Sequence, residues 1–180
     1  MLKAFDTQVP ILGFAAFSGT GKTTLLKKII PLLRSRQLNV GLVKHSHHSF
    51  EIDYPGKDSY ELRKAGANPV MLSSSRRRAI IMEHPEIREP SLSEELAFFD
   101  RTGLDLILVE GFKREPIPKI ELHRPALGKP LLFPGDDTII AIASDAEPAV
   151  MPHIPRLDIN DPEQIVRFIC QEFLPRARNG

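Results

Sequence analysis

An apolar run, residues 9–17, passes directly into Ala16-Phe17-Ser18-Gly19-Thr20-Gly21-Lys22-Thr23 and then into a helical pattern. A strand, a small-residue loop and a helix in immediate succession form a unit whose backbone N–H groups turn inward around an anion at the helix N-terminus. The spacing follows G-x-x-x-x-G-K-[ST] except at its first position. Ala16 stands there, which is tolerated when φ is negative and the Cβ meets no phosphate. Such a loop predicts a nucleoside triphosphate site. Lys22 reaches the β and γ phosphates, Thr23 supplies a hydroxyl to Mg²⁺, and Ser18, Gly19, Thr20, Gly21 and Thr24 complete the cradle. The plainer alternative is a glycine-rich turn with an incidental lysine, against which the order of strand, loop, Lys-Thr-Thr and helix argues.

Further apolar runs without polar alternation occur at 40–43, 104–109 and 139–143, a pattern that suits strands buried on both faces. Between them, residues 22–36 and 93–101 carry leucine, isoleucine and phenylalanine at helical spacing. This alternation predicts an α/β fold of the P-loop NTPase class: a mostly parallel twisted sheet flanked by helices, with additional edge strands, in one domain over residues 1–180. Pro31 is expected to kink or break the first helix. A short helix over 59–67, capped by Asp58 or Ser59 and ended by Gly66, precedes extended segments at 70–73 and 79–82. The last helix spans 161–173, with Asp161 as its cap and Pro162 in its first position. The prolines between Pro116 and Pro134 place that stretch in edge strands and loops.

Ligands in such sheets bind beyond the carboxyl ends of the strands. Glu110 ends the 104–109 run where an acid would hold Mg²⁺, the alternative being a helix cap, and Gly111 permits close backbone approach. After the second run come Lys44-His45-Ser46-His47-His48, then Glu51 and Asp53. Adjacent His47 and His48 in an extended loop point to opposite sides, which disfavours a tight transition-metal site. The loop reads instead as a switch near the phosphates, with Asp53 a second Mg²⁺-side carboxylate and Lys44 or a histidine facing phosphate. Arg76, Arg77, Arg78, Lys113, Arg114 and Lys119 are candidate anion contacts. No Asn-Lys-x-Asp element is present, so the residue chemistry leaves GTP and ATP both open. Asp145, beyond the 139–143 run, is the best-placed carboxylate for reading guanine, the alternative being a turn cap.

A net charge of +1 provides no global field toward nucleic acid or an anionic membrane. The single cysteine, Cys170, forms no intramolecular disulfide and reads as a small buried hydrophobe. No run approaches the roughly 18 apolar residues of a membrane helix, and nothing near Met1 resembles a signal peptide. A cytoplasmic protein is expected.

The segments 14–25, 42–48, 56–67, 109–113 and 118–121, in this order, resemble the molybdopterin-guanine dinucleotide biosynthesis adaptor family, down to alanine at the first loop position. The resemblance implies a GTP-binding homodimer with weak GTPase activity that assists a guanylyltransferase attaching GMP to the molybdenum-bearing pterin. On that reading Ser18 to Thr24 hold GTP phosphates, Thr23 and Glu110 serve Mg²⁺, and Asp53 with the histidine loop lies at the γ-phosphate side. Lys22, Asp53 and Glu110 are then the catalytic set, while Arg76 to Arg78 and Lys113 face a molybdopterin phosphate or the partner. His47, His48 and Asp53 are the candidates for orienting water. Two other classes share parts of this pattern: a small-molecule kinase, and a nickel or zinc metallochaperone GTPase, for which the histidines argue.

Overall fold

The computed structural model describes residues 9–46 and 50–179, and the chain forms two compact units, 1–45 with 91–180, and 46–90. In the larger unit six strands form one sheet: β1 (Ile11–Ala15), β2 (Val40–Lys44), β5 (Leu106–Glu110), β6 (Lys119–His123), β7 (Ile139–Ser144) and β8 (Arg156–Asp158). Their order is β2-β5-β1-β6-β7-β8, and every pairing is parallel.

Strand alternation assigns the faces. Leu12, Phe14, Leu106, Leu108, Ile120, Leu122, Ala141 and Ala143 point to one side, where they pack on Leu25, Leu26, Ile29 and Leu33 of α1 (Lys22–Ser35) and on Ile165, Val166 and Phe168 of α4 (Pro162–Phe168). On the other side Ile11, Ile107 and Val109 meet Leu92 and Leu96 of α3 (Leu92–Phe98), and Ile142 meets Phe133. The helix spacing read from the sequence is therefore the buried stripe.

Several local expectations change. Pro31 lies inside α1 without ending it. Both Pro31 and Lys27, the residue whose carbonyl Pro31 cannot serve, are exposed, so the missing bond falls on the solvent side. The C-terminal helix runs past 173: α4 continues through a π turn, Ile169–Phe173, into α5 (Leu174–Asn179), and the shifted hydrogen-bond pattern precedes Pro175, which has no N–H to donate. Asp161 caps α4, accepting from Gln164 N–H at 3.0 Å, and Pro162 takes the first position. Cys170 is half-buried beside the core.

The largest correction concerns 116–134. Residues 119–123 are not an edge strand; β6 is paired on both sides and buried along its length. No proline lies within it, since Pro116 and Pro118 precede and Pro125 follows. Two of its polar side chains, Lys119 and Glu121, are satisfied internally. Lys119 Nζ pairs with Asp136 at 3.0 Å and donates to the Glu115 carbonyl at 2.8 Å, so it is not an exposed anion contact. Glu121, 1% exposed, accepts from the backbone N–H groups of Leu132 and Phe133, each at 2.8 Å.

In the smaller unit α2 (Asp58–Lys64) precedes an antiparallel hairpin of β3 (Val70–Ser73) and β4 (Arg78–Ile81). Neither Asp58 nor Ser59 caps α2; Lys57 is its N-cap, and Asp58 sits in the first turn, where its charge favours the helix dipole. Arg63 is buried between Glu51 and Glu83. Met71 and Ile80, opposite one another in the hairpin, are exposed. Among the described residues no helix is long and apolar enough to cross a membrane.

Candidate functional site

β1 delivers the loop at its carboxyl end, and α1 starts at Lys22 with Gly21 as N-cap at φ 98°, ψ 23°. Gly19, at φ 83°, gives the second left-handed position. Among the described residues Gln37 is the one non-glycine with positive φ, so the backbone at Ala16 has the negative φ that alanine requires there, and the residue is buried. Thr20 holds the loop from within, its hydroxyl donating to the Phe17 carbonyl at 2.8 Å. Ser18 and Gly19 are exposed at the tip, and Thr24 is exposed on the first turn of α1.

The N-termini of the two core helices differ in how they are satisfied. α4 is capped by a carboxylate, whereas α1 has no side-chain cap and no acid in its first turn. Its free amides and the positive end of its dipole are thus left to an outside anion, with Lys22 beside them.

Strand register brings the predicted acid to the same place. β2 pairs with β5 so that Lys44 lies opposite Glu110. Glu110 is 7% exposed; one carboxylate oxygen lies 3.5 Å from the Thr23 hydroxyl and the other 3.2 Å from Lys44 Nζ. A hydroxyl and a carboxylate oxygen side by side are the hard donors Mg²⁺ prefers, so the pair fits that ion. Lys44, named with the histidines as a candidate to face phosphate, pairs here with the Glu110 carboxylate. Gly111, at φ 101°, passes so close to β2 that a Cβ there would lie 2.9 Å from the His45 carbonyl oxygen.

Toward β6 and β7 the site continues through a residue the sequence reading missed. Arg124 follows β6 and donates from Nε to the Thr20 carbonyl at 3.1 Å, from one terminal nitrogen to Asp145 at 2.5 Å, and from the other to Asn160 at 3.1 Å. One planar guanidinium thereby joins the loop to the ends of β7 and β8. Asp145 is positioned rather than free, yet a carboxylate has about four lone-pair sites and retains acceptor capacity. Gly19, Gly21, Thr24, Arg124 and Asn160 line an open cavity of about 210 Å³ at this end. Had β6 been recognised as central, Arg124 at its carboxyl end would have stood out.

Asp53 belongs to the smaller unit. It is buried, with Oδ1 accepting from the Tyr54 N–H at 3.1 Å and Oδ2 without a partner among the described residues. His47 and His48 lie outside the described residues. Among those described, no three His, Cys, Asp or Glu side chains gather as a metal-binding group.

Residues 11–145 match the family described as molybdopterin guanine dinucleotide synthesis protein B. The chain is 48% identical over 169 residues to the molybdopterin-guanine dinucleotide biosynthesis adapter protein of Escherichia coli, covering 93% of this chain and 95% of that protein. It is 46% identical over 164 residues to the adapter protein of Haemophilus influenzae, covering 91% and 89%. Among solved structures, that of Bacillus subtilis MobB superposes with a TM-score of 0.67 at 26% identity, covering 89% of this chain and 96% of that one. With the phosphate-type loop, the parallel sheet and these matches in agreement, the chain belongs to the molybdopterin guanine dinucleotide synthesis protein B family.

Proposed function

We propose that the protein is a GTP-binding adapter with weak, Mg²⁺-dependent GTPase activity that assists the guanylyltransferase step of molybdopterin guanine dinucleotide formation. The observation that carries the nucleotide reading is the conjunction of an uncapped α1 N-terminus, Lys22, and the Thr23–Glu110 pair. Thr23 and Glu110 would hold Mg²⁺, which would supply charge neutralisation to the bound phosphates, and Lys22 would offset the charge that develops there. Asp53 is the further carboxylate that the sequence and its family resemblance assign to the phosphate side. Asp145, oriented by Arg124, reads the base. The adapter role and the molybdopterin guanine dinucleotide pathway come from the names of the relatives, the guanylyltransferase from the family resemblance of the sequence, and the cytoplasm is its compartment. A homodimer is its working form, a reading favoured by the exposed Met71 and Ile80 of the hairpin.

Fluorescent-nucleotide titration with GTP and ATP competitors in Mg²⁺, followed by phosphate release with and without the guanylyltransferase, tests this reading. GTP preference with slow, partner-sensitive release is expected, as is loss of binding in Lys22→Ala with an unchanged circular dichroism spectrum. ATP preference, with turnover appearing only when a small acceptor is added, would assign the site to a kinase; normal GTP binding by Lys22→Ala would remove the phosphate-loop assignment.

A further inference from the structure

We propose that Lys113 binds the terminal phosphoryl group of a nucleoside triphosphate and is the residue by which the site distinguishes triphosphate from diphosphate. The inference rests on the nucleotide reading above and extends it to a side chain outside the phosphate loop.

Lys113 is carried over the loop by a tight turn. The chain reverses at Gly111 after β5, and the Lys113 N–H donates to the Gly111 carbonyl at 3.0 Å. Phe112 anchors the turn: its side chain is buried in the cluster around Leu92 and Ile107, with its ring 5.1 Å from that of His45. The Lys113 ammonium is thereby set 4.9 Å from the ring centroid of Phe17, the second residue of the loop. A cation on an aromatic face is held in place without being neutralised.

Among the described residues no carboxylate pairs with Lys113. Burial, and then the neighbouring Lys22, push its pKa down, which reports two ammonium groups sharing one region of space. A polyphosphate bound at the loop would relieve that like-charge repulsion and give the Lys113 ammonium a partner.

Topology identifies which phosphate. β5 and β6 flank β1 on opposite sides, so the loop has a β5 side, bearing Glu110 and Lys113, and a β6 side, bearing Arg124. Arg124, Asp145 and Asn160 occupy the β6 side, and Thr23 meets Glu110 on the β5 side. A nucleotide with its base toward Asp145 therefore presents its far end, the γ phosphoryl group, to Lys113. A diphosphate ends short of it.

The test is competition titration of a fluorescent GTP analogue with GTP and with GDP, in Mg²⁺, for the wild type, Lys113→Met, Lys113→Arg, Phe17→Leu and Lys22→Ala. Loss of one charge-assisted contact predicts about tenfold weaker GTP binding by Lys113→Met, with GDP changed by less than about twofold. Lys113→Arg retains most of the GTP preference. Phe17→Leu, which keeps the charge and removes the ring, loses part of it. Equal losses for GTP and GDP, or no loss for either, in Lys113→Met would overturn the proposal. If Lys22→Ala abolishes binding while Lys113→Met binds like the wild type, the nucleotide site stands and the role of Lys113 falls. If the wild type binds neither nucleotide, both fall.

Discussion

Replacing Gly111 by alanine tests whether the close approach of β2 to the Glu110 turn holds the site together. At φ 101° an L-residue is strained, costing about 1–2 kcal/mol. Alanine also restricts the unfolded chain, returning about 0.4–1 kcal/mol. The remaining term is steric. A Cβ at 111 would sit 2.9 Å from both the His45 Cβ and the His45 carbonyl oxygen, next to the hydrogen bond from His45 N–H to the Glu110 carbonyl at 2.8 Å. A backbone oxygen cannot rotate aside as a side-chain tip can, so the overpacking range of about 1–3 kcal/mol applies. Gly103 supplies the control, with φ 71° and no atom within 4 Å of a built Cβ. By these terms Gly103→Ala loses roughly 1 kcal/mol and Gly111→Ala roughly 3 kcal/mol. Urea denaturation followed by circular dichroism reads both. Equal destabilisation of the two variants would refute the steric argument, and unchanged Mg²⁺-dependent nucleotide binding in Gly111→Ala would refute the coupling of this contact to Glu110.

Three other perturbations separate the remaining claims. Arg124→Met removes three hydrogen bonds from a partly exposed guanidinium and, discounted for solvent, is expected to cost about 1–2 kcal/mol, read by thermal melting, and to weaken nucleotide binding; retention of both would show that the loop does not need this tie. Asp145→Asn is expected to lower GTP affinity at least about tenfold and to raise affinity for xanthosine triphosphate, since an amide donates where xanthine has an oxygen; unchanged preference in competition titration would remove Asp145 from base reading. Burial raises the Glu121 pKa, so the folded state holds that proton more tightly than the unfolded chain. This contribution is fully present below the ordinary glutamate value of about 4.3 and is lost as pH rises through the raised value. Urea midpoints of the wild type relative to Glu121→Gln should therefore fall across that window, and a difference that grows with pH would reverse the sign.

The parts of the fold legible in the sequence were those whose physics is local. Leu25, Leu26, Ile29 and Leu33 announce a helix by spacing, Asp161-Pro162 announces its successor's start, and Lys22-Thr23 with Glu110 at a strand end announces the centre of the site. Position in the sheet was less visible. β6 is central, yet Lys119, Glu121 and His123 give it a polar alternation, because its partners Asp136 and the Leu132 and Phe133 amides lie outside the strand. A strand read as peripheral hid Arg124 at its end. The α2 start was misread for a related reason: Asp58 and Ser59 have cap chemistry, but Lys57 takes the extended cap conformation and neither side chain reaches back.

The chain path between β2 and β5 carries a consequence for how members of such a lineage can diverge. These strands are parallel neighbours and need a crossover, and α3 lies on that path. The described residues of 46–90, between them in sequence, contribute no strand to the six-stranded sheet. The register of β2 on β5, and with it Lys44 opposite Glu110, is set by the pairing of the sheet itself, so the exposed hairpin positions Met71 and Ile80 can change their chemistry without altering that pairing.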